Sequence, residues 1–473
     1  MAGANQPLVR FMMVKANMTE RYINLVLPLA QKATAMREID TNDSNHARSS
    51  AVSNLIGNSL RTGDVDSKKM LMRGFRTSIM GIRTTTTPIT TTALEQSADK
   101  YERHHVEFSF TELVQAYFDC RKNKRNTASA LAFEQNLETN LSDLYADLIR
   151  GNYQIGKSIC FVITRPKPRE VWAAEFRDRV VHHLLYNRIS PRFYASFIAD
   201  SCACMPSRGT LYGAKRLEAK IRSITQNWSV PAYYLKLDLA NFFVSINKNI
   251  LKALIAERVH EPYWMGLVEK ILFDDPRHHF EFHGAKESIE LVPSHKRLAN
   301  QTAALGLPIG NLSSQFFANI YLDVLDQFVK HQIGAKHYIR YVDDFIILHE
   351  SAKWLNEAKA RIEVFLMEKL DAKINPKKTI LQPIDRGVDF VGQVIKPWQR
   401  SVRRRNVKEA IKRIKETNQP ELLEVANSYF GLIRQASHSH HDRAKLSKTL
   451  LKLGNTVDGK FTKTFKRRDH QCL

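Results

Sequence analysis

The sequence predicts an α+β fold organised around a β-hairpin, and three features support this prediction. In residues 338–348, β-branched and aromatic runs lie on both sides of the adjacent aspartates Asp343 and Asp344, a pattern typical of a hairpin with carboxylates near its turn. A second apolar strand, distant in sequence, ends at Asp238. Apolar residues recur at helical spacing elsewhere, most regularly in residues 354–370. Two strands from separate parts of the chain can thus bring three carboxylates to one point.

The three carboxylates indicate phosphoryl-transfer chemistry. A lone Asp-Asp pair is more often an ordinary turn, and only the matching strand that ends at Asp238 favours a functional site here. An unpaired buried carboxylate is costly, so neighbouring carboxylates on apolar strands indicate solvent exposure or bound cations. Carboxylate oxygens bind Mg²⁺ well, and two such ions about 4 Å apart stabilise the attacking and leaving oxygens of a phosphoryl transfer. This arrangement suits a nucleotide polymerase.

Residues 341–344, with the sequence Tyr-Val-Asp-Asp, resemble the signature tetrapeptide of the reverse transcriptases, and Asp238 followed by Phe242 and Phe243 resembles the first palm motif of that family. The resemblance extends over roughly residues 108–440. It implies an RNA-directed DNA polymerase with the right-hand architecture: fingers, an antiparallel palm sheet that carries the catalytic hairpin, and a helical thumb.

The resemblance also implies roles for single residues. Asp238, Asp343 and Asp344 form the catalytic and metal-binding set, with Asp344 supporting the other two. Two Mg²⁺ ions are the implied cofactors, and Mn²⁺ is the alternative. Phe243 stands where the family keeps an aromatic side chain that collides with a ribose 2′-hydroxyl. The implied substrates are therefore dNTPs, and the implied product is cDNA.

Length and charge agree with a nucleic-acid enzyme. The chain has 473 residues, of which 43% are hydrophobic, enough for roughly three domains with a sizeable core. The net charge of +23 favours a polyanionic partner over plain solubility or a membrane surface. The sequence has no long uncharged apolar run and no lysine-led secretory signal, so no membrane partner is expected. The five cysteines are odd in number and lack zinc-type spacing, which is typical of a reduced cytoplasm.

Composition and the resemblance together divide the chain into four predicted domains: an N-terminal extension at 1–97, fingers at 98–230, a palm at 231–395 with an insertion near 274–300, and a basic thumb and tail at 396–473. In the extension, residues 18–36 have the spacing of an amphipathic helix, and the threonine-rich residues 84–92 indicate an extended linker. Three roles stay open for the extension: RNA binding, self-assembly, or a flexible arm.

Basic residues of the fingers predict phosphate contacts. Lys167 and Arg169 follow a predicted strand at residues 161–163, in a segment that resembles the fingers motif of the family. We expect both to bind the nucleotide triphosphate, with a solvated basic loop as the alternative. Arg177 is expected to touch the template or to hold the fingers together. Arg208 is expected to bind a template phosphate, although turn chemistry alone explains its surroundings.

The glycine- and proline-containing residues 306–315 precede a predicted helix. Such a backbone can approach a ligand closely, and Gln315 is expected to contact the nucleotide or a base pair. The alternative is an ordinary capping loop with Ser313 or Ser314 as the helix cap. Further helices are predicted over about residues 128–150 and 250–272 from their apolar spacing.

The C-terminal part predicts a helical thumb that follows a nucleic-acid duplex. Residues 396–473 contain 19 Lys and Arg against 7 Asp and Glu, a net charge of +12, about half of the charge of the chain. Each basic side chain on a phosphate adds salt-sensitive affinity. We expect nucleic-acid contacts from two basic groups, one before a palm strand and one at the start of the thumb: Lys377 and Lys378, and Arg403, Arg404 and Arg405.

Within the family, the sequence resembles bacterial enzymes of two kinds. Many intron-type and retron enzymes carry Gln-Gly and Ser-Pro where this chain has Ile-Gly at 309–310 and Ser-Gln at 314–315. This variant resembles the reverse transcriptases of diversity-generating retroelements. It also resembles some bacterial reverse transcriptases of the antiphage-defence group, which is called the unknown group.

Three functions therefore stay open. The first is a defence enzyme that copies a structured non-coding RNA during phage infection, which the long N-terminal extension favours. The second is the polymerase of a diversity-generating retroelement, which the Ser-Gln variant favours. The third is a catalytically idle RNA-binding scaffold, which the intact aspartates and Phe243 disfavour. The expected partners are the RNA template, dNTPs, the cDNA product and further copies of the chain, and the expected location is the bacterial cytoplasm.

Overall fold

The structure is a computed structural model that describes residues 107–122, 127–165, 167–419 and 421–465. The helix predicted at residues 18–36 and the linker predicted at residues 84–92 lie outside the described residues. The chain divides into two compact units. The described part of the smaller unit comprises residues 107–111 and 136–149, and the larger unit contains the other described residues.

The described chain begins with three helices: α1 (Phe110–Arg121), α2 (Ala128–Gln135) and α3 (Leu137–Ile149). The single helix predicted over residues 128–150 is therefore wrong. The carbonyl oxygen of Asn136 accepts the amide of Asn140 (2.9 Å) and so starts a new helix, and asparagine is a favoured residue at a helix start. Within the smaller unit, the Tyr145 hydroxyl on α3 donates to the carbonyl of Phe108 (3.3 Å).

The other elements all belong to the larger unit. Its first half contains β1 (Ser158–Ile163), β2 (Arg169–Ala173), α4 (Phe176–Tyr194), α5 (Thr210–Ile224), β3 (Tyr233–Asp238), the short helix α6 (Phe242–Ser245), α7 (Lys248–Ala256), α8 (Pro262–Phe273), β4 (Phe280–His283) and α9 (Leu312–Gln327). Its second half contains β5 (His337–Tyr341), β6 (Asp344–His349), α10 (Ala352–Leu370), β7 (Ile380–Pro383), β8 (Val388–Phe390), β9 (Gln393–Lys396), β10 (Gln399–Val402), α11 (Arg404–Glu416), α12 (Leu422–Ile433), α13 (His440–Lys452), β11 (Thr456–Val457) and β12 (Thr464–Phe465).

Two helices, α7 and α8, replace the single helix predicted over residues 250–272. Pro262 opens α8, where its missing N–H removes no helical hydrogen bond but prevents α7 from running through. At the other end, the Asn247 side chain caps α7 by accepting the amides of Asn249 and Ile250 (3.0 and 3.4 Å). The apolar spacing is similar on both sides of the break, which is why it did not reveal the boundary.

A four-stranded antiparallel sheet in the order β5-β6-β3-β7 forms the centre of the larger unit. Alternate residues of its strands face opposite sides. On one side, Tyr234 of β3 and Ile346 of β6 pack in a buried cluster with Leu217 and Ile221 of α5. This burial fixes the register of the strands, and the register decides where the carboxylates at the strand ends lie.

A smaller sheet in the order β2-β1-β4 carries the segment predicted to bind triphosphate. β1 and β2 form an antiparallel pair in which Ile163 lies opposite Arg169, and β4 adds to β1 in parallel. The connection between β1 and β2 contains Lys167. The strand predicted at residues 161–163 is thus the end of β1.

The C-terminal part of the larger unit contains a third sheet, β10-β9-β8, three helices and the hairpin β11–β12. α11 buries Val407, Ala410 and Ile414 against α12 and α13, and its other side is rich in arginine and lysine. The prediction of an α+β fold with an antiparallel sheet, a hairpin and a helical C-terminal part is confirmed. No helix in the described residues is both long enough and apolar enough to cross a membrane.

Candidate active site

The β5–β6 hairpin and strand β3 bring the three predicted carboxylates together. Tyr341 pairs with Asp344, so only Val342 and Asp343 form the turn. Asp238, at the end of β3, lies directly opposite Asp344 across the sheet. The amide of Leu239 then donates to the carbonyl of Asp343 (3.2 Å). The carboxylates therefore meet at one edge of the palm sheet, as the two strand patterns predicted.

The turn of the hairpin is strained at Val342, whose φ is +56°. A β-branched residue in the left-handed region is unfavourable and persists only where surrounding contacts impose it. Arg340 supplies such a contact, because its Nη1 donates to the carbonyl of Val342 (3.1 Å). The position of Asp343 is thus set by tertiary contacts rather than by local preference.

Arg340 is itself held by a buried network beneath the hairpin. Its Nε and Nη2 donate to the two carboxylate oxygens of Asp326 (2.7 and 2.6 Å), and Nη2 also donates to Ser201 Oγ (3.1 Å). The Tyr338 hydroxyl donates to the same Asp326 carboxylate (2.6 Å). Both members of the ion pair are almost inaccessible to solvent. Breaking a buried pair of this kind leaves an uncompensated charge and is strongly destabilising.

Burial, together with neighbouring negative charge, raises the pKa of both carboxylates of the hairpin. Burial raises the pKa of Asp344 to about 6, with Asp238 and Asp343 adding to the rise and Lys236 opposing it. Burial also raises the pKa of Asp343, and the neighbouring Asp238 charge adds to this. Lys236 Nζ lies 3.0 Å from Asp344 Oδ2, whereas Asp344 Oδ1 is buried without a hydrogen-bond partner among the described residues. Added positive charge at this edge of the sheet would stabilise the ionised forms.

Lys378 provides positive charge on the opposite side of the set. Its Nζ donates to both carboxylate oxygens of Asp238 (2.6 and 2.7 Å). A short helical turn, Pro376–Lys378, presents this lysine. Asn375 fixes the turn, because its amide donates to the carbonyl of Asp238 (2.8 Å) and its side chain accepts the amide of Lys377 (3.1 Å).

The donor atoms at this edge suit a hard divalent cation. Within the residues that the structure describes, no group of three or more His, Cys, Asp or Glu side chains is arranged as a ready metal site. Lysine ammonium groups instead occupy oxygens of Asp238 and Asp344. The unpartnered oxygen of Asp344 and the raised pKa of Asp343 both favour an added cation. The oxygens of Asp238, Asp343 and Asp344 thus fit a divalent cation, provided that Lys378 moves away from Asp238, and the assignment of Asp238 and Asp343 as ligands stays a prediction.

The carboxylates open into a cleft of about 710 Å³. Phe243 forms part of its wall, and the preceding Asn241 adopts a left-handed conformation (φ +51°) that turns the chain from β3 into α6. Most of the predicted basic residues also line this cleft, namely Lys167, Arg169, Lys377, Lys378, Arg403 and Arg405. Arg403 is bound to Asp389, while Lys167, Arg169 and Arg405 are exposed. The predicted triphosphate residues and the predicted sugar-selecting residue thus surround the carboxylates.

Four predicted residues lie outside the lining of the cleft: Gln315, Arg177, Arg208 and Arg404. Arg177 donates to the carbonyl of Gln154 (3.0 Å) and lies over the Tyr153 ring. Arg208 donates to the carbonyls of Ile198 and Ser201 (2.8 and 2.7 Å). Both guanidinium groups therefore hold the protein chain together. Their contacts to nucleic acid, and those of Arg404, stay predictions.

Gln315 lies outside the cleft lining, on helix α9, which begins earlier than the sequence indicated. Asn311 precedes the helix, and its side chain accepts the amide of Ala174 (3.0 Å). The expectation that Ser313 or Ser314 caps the helix is wrong, since both are buried inside its first turns. Ser313 Oγ instead lies 2.9 Å from Nδ1 of the buried His182. Gln315 is exposed on α9, and its contact to a nucleotide stays a prediction.

Sequence reasoning missed two lysines of the cleft. Lys236 lies two residues before Asp238 on β3, so the two side chains share a face of the sheet. A lysine at this spacing in an apolar strand was a detectable signal. Lys296 comes from the predicted insertion and also lines the cleft, although nothing in its local sequence indicated this.

Comparison with known proteins agrees with this geometry. Residues 165–395 match the family model described as "Reverse transcriptase (RNA-dependent DNA polymerase)". The chain contains a reverse transcriptase domain. This domain includes the three carboxylates, Phe243 and the basic residues predicted for the fingers. The prediction of a reverse transcriptase domain is confirmed. Divalent metal ions are general cofactors of such domains.

The chain is also similar to two known proteins. The COX1/OXI3 intron 2 protein of Saccharomyces cerevisiae is 23% identical over 229 residues, which cover 36% of this chain and 24% of that protein. A solved structure of apo telomerase from Candida tropicalis is 14% identical, with a TM-score of 0.38, and the match covers 55% of this chain and 59% of that one. This chain thus spans about a quarter of the length of the curated relative.

Proposed function

We propose that this protein is an RNA-directed DNA polymerase that adds deoxynucleotides to a 3′-hydroxyl end by a two-metal mechanism. The observation that carries the proposal is the meeting of Asp238, Asp343 and Asp344 at one edge of a strained, tightly held hairpin. A purely structural turn would not need Asp343 and Asp344 beside Asp238, where burial and the neighbouring negative charge raise the pKa of both turn carboxylates. The match to the reverse transcriptase family over this region supports the same activity.

The residues of the cleft divide the work of nucleotide addition. Asp238 and Asp343 would hold two Mg²⁺ ions, or Mn²⁺ in their place, and Lys236 keeps Asp344 oriented beside them. When bound, the ions supply activation of the 3′-hydroxyl and neutralisation of charge on the phosphates. Lys167 and Arg169 bind the triphosphate from the fingers side. Strand pairing with Ile163 fixes the backbone of Arg169, which lowers the entropic cost of aligning the phosphate with the primer end.

Phe243 supports dNTPs as the substrates. It lies in the wall of the cleft, on the short helix α6 that follows the strand ending at Asp238. The carbonyl of Phe243 accepts the amide of Leu307 (2.8 Å), which ties it to the loop that precedes α9. An aromatic side chain held this way leaves little room for a 2′-hydroxyl on the sugar. The site therefore selects deoxyribose by exclusion.

The test of the activity is primer extension on an RNA template with purified protein. Asp343→Asn keeps the shape of the side chain but removes its charge, and it should lower dNTP incorporation by at least about a thousandfold. Binding to the primer–template should change little. Asp385→Asn is the matched control, because Asp385 is exposed in a palm turn away from the cleft. Normal synthesis by Asp343→Asn would contradict the proposed active site.

For the biological role, we propose a bacterial defence enzyme that copies a structured non-coding RNA in the cytoplasm, acting as a homo-oligomer. The long segment before the reverse transcriptase domain supports this role over a diversity-generating retroelement, and the Ser-Gln sequence at 314–315 supports the second candidate. Sequencing the RNA and cDNA bound to protein from its native locus separates them. A phage-dependent cDNA of one non-coding RNA would support defence. A cDNA that matches a repeat in a neighbouring gene, with errors at adenines, would support the retroelement.

A further inference from the structure

The segment at residues 286–300, which lies between β4 and α9, contributes to the catalytic cleft, although none of the motifs that carry the family resemblance includes it. It forms three short helical turns, Lys286–Leu291, Ser294–Lys296 and Leu298–Asn300. Val292 and Lys296 from this segment line the same cleft as Asp238, Asp343 and Asp344. The segment therefore forms a wall of the proposed nucleotide site.

The segment is fixed to the fingers sheet rather than loosely attached. The buried carboxylate of Glu170 on β2 accepts the amide of Leu298 through Oε2 (2.8 Å). The same oxygen accepts the indole N–H of Trp172 (3.1 Å). The Leu298 side chain packs in a buried cluster with Trp172 and Cys160. A hydrogen bond to a buried charged group has a high cost of breakage, so this anchor holds the residues next to it.

A second set of contacts fixes the C-terminal end of the segment. Arg277 donates to the carbonyl of Gln301 (2.6 Å), and it is itself held by Asp275. The loop after the segment packs closely on it, since a Cβ atom at Gly306 (φ +87°) would come within 2.8 Å of Leu298 Cδ1. The backbone that follows Lys296 is therefore defined by tertiary contacts.

Lys296 itself is exposed, and it lines the cleft together with several other cationic residues. Its backbone is set by a tight turn in which its amide donates to the carbonyl of Pro293 (2.8 Å). The side chain of Lys167 is exposed, but its partial desolvation lowers its pKa. The positive charges of Lys378, Lys296, Arg405 and Arg169 lower this pKa further. The same Lys378 lies 2.6 Å from Asp238. The cation group thus adjoins the carboxylates directly.

We propose that Lys296 binds the triphosphate of the incoming dNTP and completes a cationic wall with Lys167 and Arg405. This inference rests on the proposed polymerase function. Several cations held together repel one another unless an anion lies between them. A triphosphate concentrates several charges within one cleft, whereas a nucleic-acid strand carries one charge per about 3.4 Å. The position beside the carboxylates, where the reacting phosphate must lie, favours the triphosphate.

The experiment compares Lys296→Gln, Lys296→Arg and Lys286→Gln in single-nucleotide primer extension at varied dNTP concentration. Lys296→Gln should raise KM for dNTP about tenfold and change kcat less than about twofold, since a charge-assisted contact to the triphosphate is lost. Lys296→Arg should recover most of the loss. Lys286→Gln, an exposed lysine in the same segment, should match the wild type.

A second measurement separates the triphosphate from the nucleic-acid backbone as the source of phosphate. The affinity for primer–template, measured by fluorescence anisotropy without dNTP, should be the same for Lys296→Gln and wild type. A weaker affinity with an unchanged KM would overturn the proposal and assign Lys296 to the backbone. An unchanged KM with unchanged affinity would overturn it too.

The failure of the polymerase function itself gives a different result. Wild-type protein would then incorporate no nucleotide, and KM could not be compared. Calorimetric titration of dNTP into wild type and Lys296→Gln still decides the role of Lys296. Weaker binding to Lys296→Gln supports a triphosphate contact, and equal binding overturns it.

Discussion

The two sides of the catalytic hairpin are both held by ion pairs, but these pairs differ in burial. The buried pair, Arg340–Asp326, has side chains that are 1% and 0% exposed. The cleft pairs are Lys236–Asp344, at 12% and 25%, and Lys378–Asp238, at 45% and 11%. A buried pair is costly to break, whereas an exposed pair exchanges its partner readily. The hairpin thus combines a fixed support with carboxylates whose lysine partners a ligand can replace.

The largest expected effect comes from breaking the buried pair. Arg340→Met leaves Asp326 charged and unpaired, and it should lower the free energy of unfolding by about 3–5 kcal/mol. It also removes the donor to the carbonyl of Val342, so dNTP incorporation should be lost. Urea unfolding and primer extension measure the two effects.

The double variant Arg340→Met with Asp326→Leu separates stability from positioning. Replacing both partners by apolar side chains should recover much of the stability. It should not recover activity, because the carbonyl of Val342 still lacks its donor. Recovery of both would show that Arg340 supports the fold alone and does not position the turn.

The next effect concerns Asp344 and pH. Its folded pKa is raised to about 6 from an ordinary value near 3.8. The stability linked to this group is therefore fully present below about pH 4 and is lost as the pH rises through 6. Asp344→Asn removes this dependence. The free energy of unfolding of the variant minus that of wild type should therefore be about 1 kcal/mol higher at pH 7.5 than at pH 5. Urea unfolding at the two pH values checks this, and a constant difference would contradict the raised pKa.

The smallest effect on stability is expected at the exposed cleft pair. Lys378→Gln should change the free energy of unfolding by less than about 1 kcal/mol. It should strengthen Mn²⁺ binding, because the ammonium group no longer competes for the oxygens of Asp238. Electron paramagnetic resonance titration of Mn²⁺ measures this, with Lys377→Gln as the neighbouring control. Weaker Mn²⁺ binding by Lys378→Gln would mean that the lysine supports the metal ligands instead of competing with them.

The carboxylates of the site could be predicted from the sequence, whereas the groups that hold them could not. Asp238, Asp343 and Asp344 were detectable because charged carboxylates are unusual at the ends of strands whose other residues are apolar. The partners of these carboxylates were not detectable. Lys378 is 140 residues from Asp238, and Val342 adopts a conformation that its β-branched side chain disfavours. Both depend on tertiary contacts that leave no periodic signal.

Helix boundaries show the same limit on a smaller scale. Apolar spacing located α10 well, because that helix has one continuous buried stripe. It did not show that α9 begins at Leu312, two or three residues before the start that a cap at Ser313 or Ser314 implies, and Gln315 lies outside the cleft lining. The lining role of Lys296 depends on Glu170, far away in sequence, and was equally hidden.

The most direct test of the account is a crystal structure of the protein with an RNA–DNA duplex, Mn²⁺ and a dNTP. The account predicts anomalous Mn²⁺ peaks at Asp238 and Asp343, with the Lys378 ammonium moved off Asp238. It also predicts an unchanged Arg340–Asp326 pair and a left-handed Val342. Lys378 still bound to Asp238 beside a bound dNTP, or a rearranged buried pair, would contradict the division into a fixed support and exchangeable cleft pairs.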